Sequence, residues 1–323
     1  MTVSDAALRM RRACVWHPQS FAKFLLCAIS LSCARNGSTH ATNSMMQSTN
    51  AVPGTLPASW YAGGADGTGR AEFQIHAYND DFYILRQAAY TNYEKPFLYL
   101  LFGNDRAILF DTGAGMVDVP AAVDGIIKQW LAKHQRTTIP LIVAHTHGHG
   151  DHVAGDAQFA GRTDVTLVQK DTASVRAFFG IVNWPADAVT YNLGGRILDI
   201  LPIPGHEASS IAIYDRQTHV MLTGDTFYPG RLYVRDDVAF INSVQRLVDF
   251  SATHPVVHFL GTHIEQSSEP FKDYAVGTID QPNEHVLQLT RAQLVLMNDS
   301  LKTMGGKVVR KALPGLTIWP VTP

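Results

Sequence analysis

The chain has 323 residues, 46% of them hydrophobic and 17% charged, with a net charge of −2 and an isoelectric point near 6.7. That balance excludes disorder over most of the length and lends no support to a nucleic-acid binder, which is more often strongly basic. The three cysteines, Cys14, Cys27 and Cys33, all lie near the N-terminus, so no disulfide framework is expected and metal chemistry downstream must rest on histidine and carboxylate.

Residues 1–34 read as an export signal. Arg9, Arg11, Arg12 and Lys23 are basic, the apolar run 24–31 follows, and Ser32, Cys33 and Ala34 supply small residues for cleavage. The run is too short to span a bilayer as a helix, so the mature chain is expected to be exported, periplasmic or secreted, without an integral span. Cys33 after Leu31-Ser32 also resembles a lipid-anchor site, although Ser30 stands where leucine is usual. A flexible polar tether is expected over 35–58, and a single catalytic domain over 59–323.

Within that domain, strands are expected at 82–85, 97–102 and 107–110, the last ending in the turn Asp111-Thr112-Gly113. Helical spacing over 120–134 places Val123, Ile126, Ile127, Trp130 and Leu131 on one side, with Pro120 in the first turn, where its missing N–H is harmless. The apolar strand 141–144 runs into a histidine-rich loop. A strand at 166–168 and a helix at 173–179 follow. In the second half, strand 197–203 ends at Pro204-Gly205-His206, and 211–214 with 220–223 form hairpin arms that exit at Gly224-Asp225. A helix over 243–253 leads to strand 256–260 and Gly261-Thr262-His263. A helix over 285–304 and a final strand pair close the chain. Strand pairs with intervening helices indicate α/β layers. The histidines and aspartates of interest recur where strands stop, and strand exits on one sheet edge are where such proteins place their binding loops.

The most informative stretch is Ala144-His145-Thr146-His147-Gly148-His149-Gly150-Asp151-His152. In extended chain, residues two apart project to the same side, so His147 and His149 can reach one metal ion. Gly148 and Gly150, lacking Cβ atoms, are expected to let the loop fold tightly around it. A turn at Asp151-His152 aims both at a second ion. Imidazole with carboxylate suits zinc first, and iron or manganese also.

The segment 146–152, followed by Val153-Ala154-Gly155, resembles the signature of the metallo-β-lactamase superfamily. The resemblance extends in order over roughly 82–263. Asp111 matches an aspartate that supports the ligands without binding metal. His206 matches the third histidine of the first metal site, Asp225 the carboxylate bridging two metals, and His263 the last ligand of the second site. Taken alone, His206 is a turn residue, Asp225 a cap and His263 a satisfied polar group; the joint order gives them weight. His145 matches no ligand position and is expected to support the others, like Asp111. The resemblance implies a four-layer αββα sandwich holding two divalent ions. Such a pair lowers the pKa of a shared water from near 16 to about 7, with Asp225 setting the spacing and Asp151 orienting the nucleophile.

The fold serves many reactions, so the substrate must come from the site. Within the resemblance, the short interval from Asp225 to His263 departs from the nuclease branch, and His149 stands where flavodiiron proteins usually carry Glu. Aspartate at 225 agrees with glyoxalase-type thioesterases and lactonases, where many zinc β-lactamases have cysteine. The expectation is a hydrolase of a small-molecule ester, lactone, thioester or amide. An exported zinc β-lactamase, a mononuclear iron persulfide dioxygenase and a non-catalytic metal-binding scaffold are the alternatives. Tyr228, Arg231 and Tyr233 are candidate substrate contacts, with Arg231 suited to a carboxylate. The polar loop 265–283 is a candidate lid. Phe178, Phe179 and Trp184 are candidates for an apolar wall, although core packing accounts for them equally.

Overall fold

The computed structural model describes residues 51–60 and 70–321, which belong to one compact unit spanning Ser48–Pro323. The export signal expected over 1–34 and the first part of the tether lie outside the described residues. Of the tether, residues 51–58 are described. There Val52 N–H donates to the Gln217 carbonyl at 2.8 Å, Thr55 N–H donates to Tyr78 at 2.9 Å, and Leu56 packs on the core.

Six strands form the first sheet in chain order: β1 (Phe73–Asn79), β2 (Phe82–Gln87), β3 (Phe97–Phe102), β4 (Ala107–Phe110), β5 (Leu141–Ala144) and β6 (Val165–Leu167). β1 to β4 pair antiparallel, whereas β4, β5 and β6 are parallel. Parallel neighbours need a crossover, and helix α1 (Val119–Lys133) carries the chain from β4 to β5. Short helix α2 (Gly150–Val153) follows β5, and α3 (Thr172–Phe179) follows β6.

The second sheet repeats the plan. β7 (Val189–Asn192), β8 (Ile197–Pro202), β9 (Ile211–Asp215) and β10 (Val220–Gly224) run antiparallel. After β11 (Arg231–Val234), helix α4 (Asp237–Thr253) crosses over to β12 (His258–Gly261), parallel to β10, and β13 (Gln288–Leu289) pairs antiparallel at the edge. Helix α5 (Arg291–Lys302), β14 (Lys311–Leu313) and β15 (Leu316–Pro320) complete the domain, β14 and β15 joining β11 in a small third sheet.

The period-2 alternation of strands decides the layering. Along β3, Tyr99 and Leu101 face a core shared with Leu198, Ile200, Ile213 and Leu222 of the second sheet. Leu98 and Leu100 face the other way, onto Val119, Val123, Ile126 and Trp130 of α1. The outer face of the second sheet, through Ala212, Tyr214, Met221 and Phe259, packs on Phe240 and Leu247 of α4 and on Leu294 and Met297 of α5. Helix, sheet, sheet and helix follow one another, giving the αββα sandwich. No helix among the described residues is long and apolar enough to cross a membrane.

Four strands escape the sequence reading, β1, β7, β11 and β13, the last lying inside the helix expected over 285–304. The first two are edge strands: β1 breaks its alternation at the outward Ile75, which is 46% exposed, and β7 alternates over only four residues, none of them fully buried. α4 starts earlier than residue 243, because the Asp236 carboxylate accepts the Ala239 N–H and caps the helix there. α5 starts later than 285. Thr290 and Gln293 form a reciprocal capping box, and the residues before it pair with β12 instead.

Candidate metal centre

The parallel register places the functional loops on one edge. Phe110 pairs with Ala144, so Asp111 and His145 leave β4 and β5 side by side; Gly224 pairs with Gly261, so Asp225 and Thr262 do the same in the other sheet. Backbone bonds join the sheets at this edge: Ile211 N–H to the Thr146 carbonyl and Phe97 N–H to the Thr262 carbonyl, both 2.8–2.9 Å. Two glycines permit the approach. Gly224 has φ +50°, and a Cβ there would stand 3.0 Å from Thr146 Cβ; Gly205 has φ +135°, and a Cβ would meet the Phe240 backbone at 2.4 Å. The expectation for Gly148 and Gly150 is corrected in part. A Cβ on Gly148 would come within 3.3 Å of the Lys170 carbonyl, but Gly150 simply opens α2 with free space around it.

The structure brings all seven sequence-derived ligand candidates together, in two groups sharing Asp225: His147, His149, His206 and Asp225, and Asp151, His152, Asp225 and His263. In the first, His149 Nδ1 lies 2.9 Å from His206 Nε2, and Asp225 Oδ2 is 3.4 Å from His206 Nε2 and 3.7 Å from His147 Nε2. In the second, Asp151 Oδ2 is 3.0 Å from His152 Nε2 and 3.1 Å from His263 Nε2, and those two nitrogens are 3.2 Å apart. Asp225 Oδ2 also stands 3.7 Å from His152 Nε2, so one carboxylate touches both groups.

The outward nitrogens show what the inward ones offer. His206 Nδ1 donates to the Tyr233 carbonyl at 2.8 Å, His263 Nδ1 to the Glu94 carbonyl at 2.9 Å, and His152 Nδ1 to Asp111 Oδ2 at 3.0 Å. A carbonyl can only accept, so in His206 and His263 Nδ1 carries a proton, and in the neutral ring the inner Nε2 presents a lone pair. Inner nitrogens face one another at hydrogen-bond distance in both groups, and His147 Nε2 is buried without a hydrogen-bond partner. Convergent lone pairs beside carboxylates are a donor set for a divalent cation, and the residues fit one. Asp111, with φ +71°, accepts from Thr146 N–H at 2.7 Å and Thr146 Oγ1 at 2.8 Å as well as from His152, fixing that ring from behind.

The two groups differ electrically. Burial holds the His147 imidazole well below its usual range and pulls His206 down to about 4, so the first group is a set of neutral imidazoles at pH 7. In the second, Asp225 and Asp151 overcome burial and push His263 up to about 9. Surrounding imidazoles likewise overcome burial and hold the carboxyls of Asp151 and Asp225 well below the ordinary carboxylate range.

Both groups open into a cavity of about 380 Å³ lined by Tyr93, Glu94, Tyr228, Tyr233, Arg235 and Val276 among others. His145 joins neither group; it is buried, with Nε2 3.3 Å from Asp156 Oδ2. Of the expected substrate contacts, Tyr228 and Tyr233 line the cavity, although the Tyr228 hydroxyl is spent on the Arg231 carbonyl and Glu265. Arg231 is corrected. It is 3% exposed and saturated by Glu265 at 2.9 Å, Asp273 at 2.7 Å, the Tyr274 carbonyl at 2.6 Å and the Tyr233 hydroxyl at 3.1 Å. The loop 265–283 contributes Glu265 and Val276 to the cavity as a wall pinned at both ends. Arg231 holds the start, and Glu284, paired with Arg86 at 2.5 Å and Lys95 at 3.1 Å, holds the end. Phe178, Phe179 and Trp184 pack into the inter-sheet core. Glu94 and Arg235 escaped the sequence reading. Neither sits in a motif, and both reach the cavity only because β3 and β11 lie next to the ligand loops.

A pair of α/β sheets with histidine and aspartate clusters at their shared edge defines a class of metal-site proteins built on strand-exit loops. The chain belongs to the metallo-β-lactamase superfamily, whose family model matches residues 95–258. It is 24% identical over 184 residues to the acyl-coenzyme A thioesterase MBLAC2 of Homo sapiens, covering 47% of this chain and 66% of that protein. It is 29% identical over 137 residues to a hydroxyacylglutathione hydrolase of Pseudomonas entomophila, covering 38% and 48%. The matches thus span two thirds or less of these relatives. Among solved structures, a metallo-beta-lactamase from Pontibacter korlensis aligns with TM-score 0.43 and 15% identity, over 71% of this chain and 99% of that one.

Proposed function

We propose that the chain is a hydrolase of acyl thioesters working with two divalent ions, zinc foremost, one in each histidine–aspartate group. The observation that carries this reading is the single Asp225 carboxylate shared by two complete donor sets at the floor of an open cavity. Bound there, the ions would supply Lewis acidity, polarising a carbonyl and bringing the pKa of a water to about 7. His147, His149 and His206 are neutral and need lose no proton to bind. Asp225, kept ionised by its imidazole neighbours and anchored by the Thr262 hydroxyl, sets the spacing of the two groups. Asp151, also held ionised, lines the cavity and can accept a hydrogen bond from an attacking water, orienting it through its carboxylate. Buried Tyr228 closes one side against solvent. The thioester choice draws on the relatives: one is named an acyl-coenzyme A thioesterase, the other for hydrolysis of a hydroxyacyl group on glutathione. An acyl group on a thiol is a thioester, and its thiolate leaves without needing a strong acid.

The test is zinc-loaded protein assayed against matched thioester, ester, lactone, phosphoester and β-lactam substrates, with elemental analysis of bound metal. We expect two ions per chain and the highest kcat/KM on a thioester. Asp225→Ala should lose both pairing of the ions and at least about 10³-fold in kcat, with its circular dichroism unchanged. Preferential cleavage of another bond, or full activity in Asp225→Ala, would overturn the proposal.

A further inference from the structure

Arg231 was the natural candidate for reading a negative charge on the substrate, and the structure removes it from that role. The guanidinium that does face the cavity belongs to Arg235, one step beyond the end of β11. Its backbone N–H donates to the Gly205 carbonyl at 2.9 Å, which seats it beside His206 and the first metal group. Among the described residues its side chain has no carboxylate within ion-pair distance. The adjacent acids are engaged elsewhere: Asp236 caps α4 through the Ala239 N–H, and Asp237 accepts the Val308 N–H at 3.0 Å.

Apart from the imidazoles of the two groups, the other charged groups lining the cavity are carboxylates, of which Glu94 accepts only the Tyr93 hydroxyl at 3.2 Å and the rest are matched. Asp151 and Asp225 lie among the imidazoles, and Glu265 is bound to Arg231. Arg235 is therefore the cavity's one cationic lysine or arginine side chain among the described residues, exposed and unneutralised at its rim. Tyr93 and Val276, 43% and 65% exposed, add apolar surface to the lining. An arginine fork presents parallel N–H donors, a geometry matched by carboxylate and phosphate.

We propose that Arg235 is a specificity-determining residue that selects thioesters carrying an oxyanion, carboxylate or phosphate, within reach of the scissile carbonyl. The inference rests on the thioester reading for the identity of the bond cleaved, but its recognition step can be measured apart from turnover.

The experiment has a kinetic and a binding arm on zinc-loaded protein. In the first, KM is compared for a glutaryl and a pentanoyl thioester of the same uncharged thiol. The same comparison is made for one acyl group on a phosphate-bearing thiol and on its dephosphorylated counterpart. Wild type should prefer the anionic member of one pair by about tenfold in KM, and Arg235→Gln should bring that ratio close to one, with Arg235→Lys recovering part of it. The pair that responds tells whether the oxyanion sits on the acyl or the thiol side. In the second arm, calorimetry compares the monoamide of glutarate, an anion, with neutral pentanamide, and the phosphate-bearing thiol with its counterpart, as ligands of wild type and Arg235→Gln. A preference for the anion in wild type that vanishes in Arg235→Gln supports the inference even where no thioester is cleaved, an outcome that would sink only the thioester reading. Equal affinity for anionic and neutral ligands in wild type, including no affinity for either, overturns the inference. So does a preference that survives Arg235→Gln.

Discussion

Asp111 never enters either ligand group, yet its carboxylate accepts three donors at once: the Thr146 N–H, the Thr146 hydroxyl and His152 Nδ1. A carboxylate suits that environment because it has acceptor sites on both oxygens, whereas an amide offers one oxygen and turns an NH₂ toward a donor. Asp111→Asn should therefore misalign His152. Affinity of the second group for zinc is expected to fall about 10–100-fold while the first group keeps its ion. Competition with a chelator of known affinity measures both steps, and an unaltered second step would contradict the role given to Asp111. The same logic of donors explains Arg231. Four acceptors surround it, including two carboxylates, and a guanidinium so saturated has nothing left for a ligand.

At the scale of elements, the wall 265–284 is held by charge. Glu284 receives a two-pronged contact from Arg86 at 2.5 and 2.6 Å and a third from Lys95 at 3.1 Å, with both cations buried. Burial pulls the Lys95 ammonium down to about 8, against the opposing pull of Glu284. Unfolded lysine titrates near 10.4. The folded state thus carries a charging cost that is full below pH 8 and is relieved as pH rises from about 8 to 10.4, so this site makes stability increase with pH across that window. Lys95→Met removes the cost and leaves Glu284 with Arg86. It is expected to raise stability at pH 7 by about 1–3 kcal/mol, with the gain shrinking toward pH 10. Urea unfolding at both pH values checks the sign; a variant less stable at pH 7 would mean that the Lys95–Glu284 contact outweighs desolvation.

At the scale of the whole molecule, three apolar clusters hold the sandwich: one between the sheets, one under α1, and one under α4 and α5. None depends on the histidine groups, which sit at the sheet edge. Burial of this much apolar surface is the dominant favourable term in folding, so metal is expected to add stability by mass action without being required for the fold. Protein stripped with chelator should keep its far-ultraviolet spectrum and a cooperative thermal transition at a lower Tm, restored by zinc. A stripped chain without cooperative unfolding would show that the site holds the sheets together.

The legible parts of this protein were those written in local sequence. β3, β4 and β5 announce themselves because both faces are buried, giving uninterrupted apolar runs. The run from His145 to His152 places four ligand candidates within one loop, and Pro204-Gly205-His206, Gly224-Asp225 and Thr262-His263 each follow a strand in the order of the family resemblance, which together located the rest. Edge strands β1 and β7 were illegible because β1 turns the apolar Ile75 to solvent and β7 alternates over only four residues, none fully buried. Pairings across long intervals were illegible for a different reason. Arg231 meets its carboxylates 34 and 42 positions away, and Arg86 meets Glu284 198 positions away, distances at which no periodicity survives. The chain's own order of residues determined which side chains leave the strands and therefore which atoms can bind a cation. Only the packing of the two sheets decided which charges are cancelled and which, like that of Arg235, remain open to the cavity, because electrostatic partnership depends on distance in space, and a sequence records only distance along the chain.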